Sequence, residues 1–521
     1  MTHYLLVLLA STLTRTTTAA FYYPDPQSHL LEHILVDNWG AYASNFSSAI
    51  TPCTNYVSQR GSTGLNSGRT TAAQWMRVLF HDFITANVSA GTGGIDASIG
   101  FETSREENKG SAFNDSFAFW APYVNEYVPM ADLVALGTVM SNNLCGSRLM
   151  PYQPGRIDAT AAGHTTGVPA PETDLEETLL FFDRAGFNET DSIALTACGH
   201  TLGSVHHGGF PEVVDDSTVT PTNTNGGANF DSTRGIFDPL VVSEYLSSTG
   251  EKGGPLVTSF NVSSRSDLRL YESDGNATMQ ALLKQGDGFL DTCVDLFKKV
   301  VNTVPSHVTL KEEIQLMEVK PVNVTFGFDK DDKLILTGTI RILTPAGSRS
   351  PKTLEFSIAG KSYNLQSDPE TGTSVFGRSG SEYGTLSYFS FSIPGSKARK
   401  ETSFSVLGHS FSLQSETFIY PDTTMINGAI VNASIATSTS TECGNLKVTI
   451  AVPYKQQGTL APKVQSQQIT LNSKSVEKDG FKICSGIAEL ENVPTGLVSL
   501  KVFTDGKVAD VLLVNGGAAG W

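Results

Sequence analysis

Arg77, Phe80, His81 and Asp82 close a run, Thr71 to Asp82, that no Gly or Pro interrupts and in which most residues are apolar. That pattern predicts a helix. On a helix Arg77 and His81 are four residues apart and project from one face, with Phe80 beside them. A guanidinium, an imidazole and an aromatic ring are costly to bury on an apolar helix without a purpose. An imidazole can accept and return a proton, and a guanidinium can stabilise negative charge that develops nearby. Taken alone, the pair also fits an ordinary surface contact. The residues next in the chain favour chemistry. Gly93-Gly94-Ile95-Asp96-Ala97-Ser98 offers carboxylate, carbonyl and hydroxyl oxygens in a tight turn just after Asp82, a hard donor set that suits Ca²⁺. Glu102 and Asn108 come next, six residues apart. A carboxylate that fixes an amide that fixes an imidazole is a supporting arrangement of the kind reactive histidines need.

The elements that must hold these residues belong to a chain of 521 residues, 40% hydrophobic and 17% charged, a globular composition with room for two to four domains. A formal charge of -16 argues against nucleic acid or an anionic membrane as partner. The apolar run Tyr4 to Ala10, followed by a Ser/Thr-rich stretch ending at Ala20, reads as a signal peptide over residues 1–20, although Lys and Arg are missing before it. No other stretch reads as transmembrane. Asn45, Asn87, Asn114, Asn188, Asn261, Asn276, Asn323 and Asn432 each open an Asn-X-Ser/Thr triplet, which together with six cysteines suits a secreted, extracellular protein. Residues 21–306 carry mainly helical patterns. From residue 307 the pattern turns to alternation, as in Lys333–Leu343, Leu446–Val452 and Leu497–Phe503, the signature of antiparallel sandwiches. The expectation is a mainly α domain followed by an all-β region of Ig-like sandwiches at 307–418 and 419–521, with 307–521 as one unit the alternative. Phe356–Ser367 and Phe404–Ser415 echo each other, as two hairpins of one sandwich or matching hairpins of two would. Cys443 and Cys484, the only cysteines of the β half, are expected to pair, with two buried free thiols the alternative.

On these motifs the helical half resembles the plant and fungal haem peroxidases, the secreted fungal branch in particular. Arg77 to Asp82 matches the distal Arg-X-X-Phe-His-Asp motif, Gly93 to Ser98 the calcium turn, and Glu102 and Asn108 the pair that orients the distal histidine. Met130–Leu136 and Pro154–Ala159 match two further landmarks. Ala194–Gly203 resembles the proximal helix with His200 as axial ligand, Phe230–Asp238 the proximal calcium segment, and Ser266–Leu270 the segment whose Asp267 accepts from that histidine. The resemblance covers roughly residues 40 to 300 and implies haem b and two Ca²⁺. His200 would ligate the iron, Phe80 would line the haem, and Asp82, Gly94, Asp96 and Ser98 would hold the distal calcium. Thr201, Asp231, Thr233, Ile236 and Asp238 would hold the proximal one. His81, Arg77, Asn108, Glu102 and Asp267 would carry or support catalysis. Cys145 sits where the branch has a half-cystine, but the usual partner position is Gly68; Cys53 is the best substitute, and Cys198 then pairs with Cys293 or stays free.

The resemblance implies a monomeric secreted peroxidase that reduces H₂O₂ and oxidises small phenolic or aromatic donors. Its β half would contact a cell-wall polymer, if it binds anything. The positions of a manganese site fall at Thr70, Gln74 and His206, none a carboxylate, so Mn²⁺ would lack charge compensation. Leu195 stands where a surface Trp relays electrons in lignin peroxidases, and Phe230 where the cytochrome c-oxidising relatives hold a radical Trp. A relay through Trp120 or a Tyr stays open. His206 and His207 read as surface residues. The other class of function is a cell-wall or carbohydrate-binding protein with a non-catalytic peroxidase-like domain. A secreted lyase or nuclease finds no metal or nucleophile constellation in the sequence.

Overall fold

The computed structural model describes residues 21–57, 68–146, 148–163, 167–375, 382–413 and 416–516; the stretch read as a signal peptide lies outside them. The helices of the first half are α1 (Pro26–Val36), α2 (Thr71–Phe83), α3 (Ala112–Trp120), α4 (Met130–Leu144), α5 (Leu175–Arg184) and α6 (Glu189–Gly199). They continue with α7 (Leu240–Ser247), α8 (Pro255–Thr258), α9 (Ser266–Tyr271), α10 (Ala277–Gln285) and α11 (Gly288–Val301). Every residue of α4 is buried, so it forms the axis on which α2 and α3 pack. Trp75 and Trp120 lie so close to Gly137 that a Cβ there would fall 2.7 Å from the Trp120 ring. Asp158 caps α4, its carboxylate accepting from the backbone N–H groups of Met130 and Ala131. Asp132 and Arg156, both fully buried, pair at 2.9 Å, and Arg156 also donates to the Val301 carbonyl. The two landmark segments are thus a helix cap and a buried ion pair that tie α4 to the end of α11. Disulfides join Cys53 to Cys145, Cys198 to Cys293 and Cys443 to Cys484.

Short strands β1 (Trp39–Gly40), β2 (Ser204–His206) and β3 (Gly227–Asn229) lie within the helical half. The C-terminal half holds β4 (Val319–Phe328), β5 (Leu334–Pro345), β6 (Thr353–Ile358), β7 (Lys361–Gln366), β8 (Thr371–Val375), β9 (Glu382–Pro394), β10 (Ser403–Val406) and β11 (His409–Ser412). These form two sheets, ordered β1-β8-β9-β5-β4 and β11-β10-β6-β7. Phe326, Leu336, Phe356, Phe389 and Phe404 fill the space between them. The second sandwich holds β12 (Thr417–Ile419), β13 (Met425–Asn427), β14 (Ile430–Ser438), β15 (Lys447–Tyr454), β16 (Lys463–Ile469), β17 (Leu471–Lys478), β18 (Phe481–Glu489), β19 (Leu497–Thr504) and β20 (Lys507–Asn515). One sheet runs β12-β14-β18-β17, with β13 on β14, and the other β16-β15-β19-β20. The sequence echo is two adjacent hairpins of one sheet. Both turn through a pair of left-handed residues, Ala359-Gly360 and Leu407-Gly408, the geometry that matches the twist of a two-residue hairpin; β10 pairs with β6.

The halves are interwoven where the sequence suggested a clean cut at 306. Phe21 and Tyr23 lie in the core of the first sandwich, and Trp39 in β1 pairs with Thr373 in β8. Residues 307–318 run along the helical half instead of entering a sheet: Lys311 N–H donates to the Pro154 carbonyl and Ile314 N–H to that of Tyr152. The strand Thr417–Ile419 pairs with β14 of the second sandwich, while Phe418 packs among the core residues of the first. Beneath α1 sits a fully buried charge cluster. Arg341 of β5 forks onto Glu32 and reaches Asp37, while Lys320 of β4 pairs with Glu32 at 2.5 Å. Two cations from the β half neutralise two carboxylates from the helical half.

Candidate active site

Thr70 caps α2 by accepting from the Ala73 N–H, and the helix carries Arg77 and His81 inward on one face. His81 is buried, and its Nδ1–H donates to Asn108 Oδ1 at 2.7 Å. That bond fixes the tautomer and leaves Nε2 as the basic nitrogen. Burial, then the Arg77 charge, lowers its pKa to about 3 against a smaller opposing effect of the Asn108 bond, so the ring is neutral at ordinary pH. Arg77 donates to the carbonyls of Lys109 and Glu107 and lies over the rings of Phe113 and Phe210. Burial, then Arg69, lowers its pKa to about 10, which still leaves it cationic. Phe80 stands next to His81 and packs on Phe182.

One expected role changes. Asn108 Nδ2 donates to the backbone carbonyl of Glu102 at 2.9 Å. The Glu102 carboxylate is spent elsewhere, on Arg105 and the Gly163 N–H. A backbone oxygen holds the amide more rigidly than a side chain would, because it moves only if the segment moves.

The helix α6 begins at its Asn188 cap and ends at His200. His200 Nδ1–H donates to Asp267 Oδ2 at 2.6 Å, and its ring stacks on Phe230, centroids 4.0 Å apart and nearly parallel. Asp267 is buried on α9, whereas the His200 side chain keeps 26% of its surface. The carboxylate holds the N–H of one ring nitrogen and directs the lone pair of Nε2 outward. That is the donor a haem iron takes from an axial histidine, so the residues fit the cofactor.

The hard-oxygen sets are assembled as well. Asp82 is buried within the Gly93–Ser98 turn and accepts from the N–H groups of Asp96, Ala97 and Ile99. Burial and then the Asp96 charge hold its pKa well above the usual range, a penalty that a cation would relieve. Ser98 lies against both, its hydroxyl near Asp82 and its N–H on Asp96, and Gly94 is in the same turn. On the other side, Thr233 Oγ1 lies 3.2 Å from Asp231 and 2.9 Å from Asp238. Asp231 Oδ2 is buried with no hydrogen-bond partner, and burial, then Asp238 and Glu244, raises this carboxyl to about 7. Thr201 is buried at the end of the proximal segment, and Ile236 closes a turn onto the Thr233 carbonyl. Among the described residues no cluster of three or more acidic, His or Cys side chains is placed to hold a metal ion.

Sequence reasoning missed three residues. His206, read as surface, is buried in β2. A side chain at Gly68 would come within 3.3 Å of Arg234 Nη1 and 3.6 Å of His206 Nε2, so a guanidinium and an imidazole flank one point of the backbone, and no local pattern signals it. Glu244 of α7 is buried beside Asp231, accepting from the Glu251 N–H. Leu195 is buried, and Trp120 is fully buried, so neither offers a surface relay.

The helical domain holds one imidazole anchored through Nδ1 by an amide, another anchored by a carboxylate, and an arginine beside the first, the set that the resemblance to haem peroxidases implies. The family described as Peroxidase matches residues 57–283, and this match, with the relatives that follow, supports a member of the plant and fungal peroxidase superfamily. The chain is 38% identical over 319 residues to a WSC domain-containing protein of Arthroderma benhamiae, covering 60% of this chain and 42% of that protein. It is 33% identical over 150 residues to L-ascorbate peroxidase 5, peroxisomal, of Arabidopsis thaliana, 28% of this chain and 53% of the relative. To manganese peroxidase 2 of Phlebia radiata it is 30% identical over 206 residues, 36% of this chain and 49% of the relative. The chain thus spans about half the length of these relatives.

Proposed function

We propose that the protein is a secreted, haem-dependent peroxidase that reduces H₂O₂ and oxidises small phenolic or aromatic donors in one-electron steps. The observation that carries the reading is the pair of imidazoles with opposite anchors: Asn108 leaves His81 a neutral base, and Asp267 leaves His200 a strong donor. Haem, when bound, supplies the redox chemistry between peroxide and donor. The protein supplies the rest. His200 would hold the haem, and the Asp267 carboxylate, by accepting from Nδ1–H, would make the imidazole more basic. His81 Nε2 takes the proton of one peroxide oxygen and returns it to the other as the O–O bond breaks. Arg77 stabilises the charge that develops in that step. The Arg234 guanidinium and the His206 imidazole, both close to Gly68, are the groups that could meet the carboxylates of a haem b. The two oxygen sets would take one Ca²⁺ each.

Small donors are favoured because the manganese positions are filled by a helix cap, Thr70, and by Gln74 and His206. Secretion is supported by three disulfides and by eight sequon asparagines of which none is buried. Among the described residues no helix is long and apolar enough to cross a membrane. The test is the purified protein reconstituted with haem b. A Soret band of a five-coordinate ferric haem, and turnover of a small phenol with H₂O₂, are expected. Failure to take up haem would overturn the reading and leave the non-catalytic, wall-binding one. Saturable Mn²⁺ oxidation would overturn the donor assignment.

A further inference from the structure

We infer that the loop between β15 and β16, in the second sandwich, is a positioning element for the distal histidine, so the β half takes part in the peroxide step. The inference rests on the peroxidase reading. Leu460 N–H, at the tip of this loop, donates to the Gly100 carbonyl at 3.1 Å. Gly100 lies in the short turn Ser98–Phe101, directly before Glu102. The Glu102 carbonyl then accepts from Arg105 N–H at 3.0 Å and from Asn108 Nδ2 at 2.9 Å, and Asn108 Oδ1 holds His81. The path from the sandwich to the imidazole is therefore three hydrogen bonds joined by one short turn of backbone.

The tip is built to press on this turn. Ala461 and the partly buried Leu460 join the core of the helical half, far along the chain from its last helix. Thr459 is buried, its Oγ1 accepting from Ala461 N–H, and Gln456 donates to the Ala461 carbonyl, so the loop is braced internally. Gly100 leaves no slack: a Cβ there would stand 2.8 Å from Thr459 Oγ1 and 3.0 Å from the Phe117 ring. The rest of the sandwich is fixed next to the tip. Lys501 pairs with Glu126, and a Cβ on Gly496 would fall 2.6 Å from the carbonyls of Pro122 and Val124. A rigid sheet thus supports a segment that has little regular structure of its own, and that segment carries the acceptor that orients Asn108.

Two variants of the full chain test this from opposite sides of the contact. Leu460→Pro removes the N–H donor; Gly100→Ala pushes the turn off Thr459 and leaves the loop sequence intact, which serves if the first variant fails to fold. Hydrogen–deuterium exchange of the unloaded protein should rise across residues 98–108 in either variant. In the haem-loaded protein the bimolecular reaction with H₂O₂ should slow about tenfold or more, the usual effect of losing an outer support, while the step with the reducing donor keeps its rate. Combined with Asn108→Val, neither variant should slow the peroxide step further, because the tip acts through Asn108. Unchanged exchange at 98–108, or losses that simply add to that of Asn108→Val, would overturn the inference. Should the parent protein take up haem yet ignore H₂O₂, the peroxidase reading fails, and the exchange result alone judges the contact.

Discussion

Arg341→Met tests how the two halves are held together. Arg341, Lys320, Glu32 and Asp37 are almost fully enclosed, and their charges cancel. Removing the guanidinium leaves two carboxylates and one ammonium, a net buried charge. Breaking a buried ion pair by deleting one partner costs about 3–5 kcal/mol, a large part of the ~5–15 kcal/mol that separates folded from unfolded chains. The pH dependence should change sign. In the parent, burial raises the pKa of Asp37, but Arg341 and His33 outweigh it and bring the group down to about 2; Glu32 is lowered by Arg341 and Lys320 against burial. Depressed carboxylates stabilise the fold above their unfolded value of about 4, and that stability disappears as pH falls from about 4 toward 2. Without Arg341 burial dominates and the folded pKa rises above the unfolded one. The variant is then penalised near neutrality and recovers as pH falls through the raised folded pKa. Urea unfolding followed by circular dichroism at a series of pH values measures both effects. Adding Glu32→Gln restores charge balance and should regain part of the loss. Parallel pH curves for parent and Arg341→Met would refute the reasoning.

A chain ended after Pro305 should be insoluble or unable to retain haem, because Glu32 and Asp37 lose both cations, β1 loses its partner and Gly100 loses Leu460; a soluble, haem-binding fragment would show the helical half to be autonomous. His200→Ala should abolish stable haem binding, whereas His81→Ala should keep the Soret band and slow the peroxide reaction by orders of magnitude, both read by stopped-flow absorbance. Asp231→Ala should remove one of the expected calcium ions, seen by elemental analysis, and lower the thermal midpoint, whereas an unchanged calcium content would reassign the proximal site.

The candidate residues were legible in the sequence. Arg77 and His81 share a face because a helix returns every 3.6 residues, and the uninterrupted apolar run from Thr71 forms one. Asp82, Asp96 and Ser98 are close in the chain, so their meeting needs only a Gly-rich turn. The alternating runs of the β half could only be strands, and Cys443 had one partner within reach. What local pattern could not decide was every relation set by long-range packing. The acceptor for Asn108 is the Glu102 backbone and not its carboxylate, because Arg105 and Gly163 claim the side chain. His206 is buried because β2 pairs with β3. Glu32 looks like a surface residue in an ordinary helix until β4 and β5, 288 and 309 positions away, bring Lys320 and Arg341 over it. The same holds for the boundary at 306. A change of hydrophobic period marks where one kind of secondary structure gives way to another, but it carries no information on which surfaces are buried against each other. Those depend on contacts between residues hundreds of positions apart, and only the folded chain puts Leu460 on Gly100.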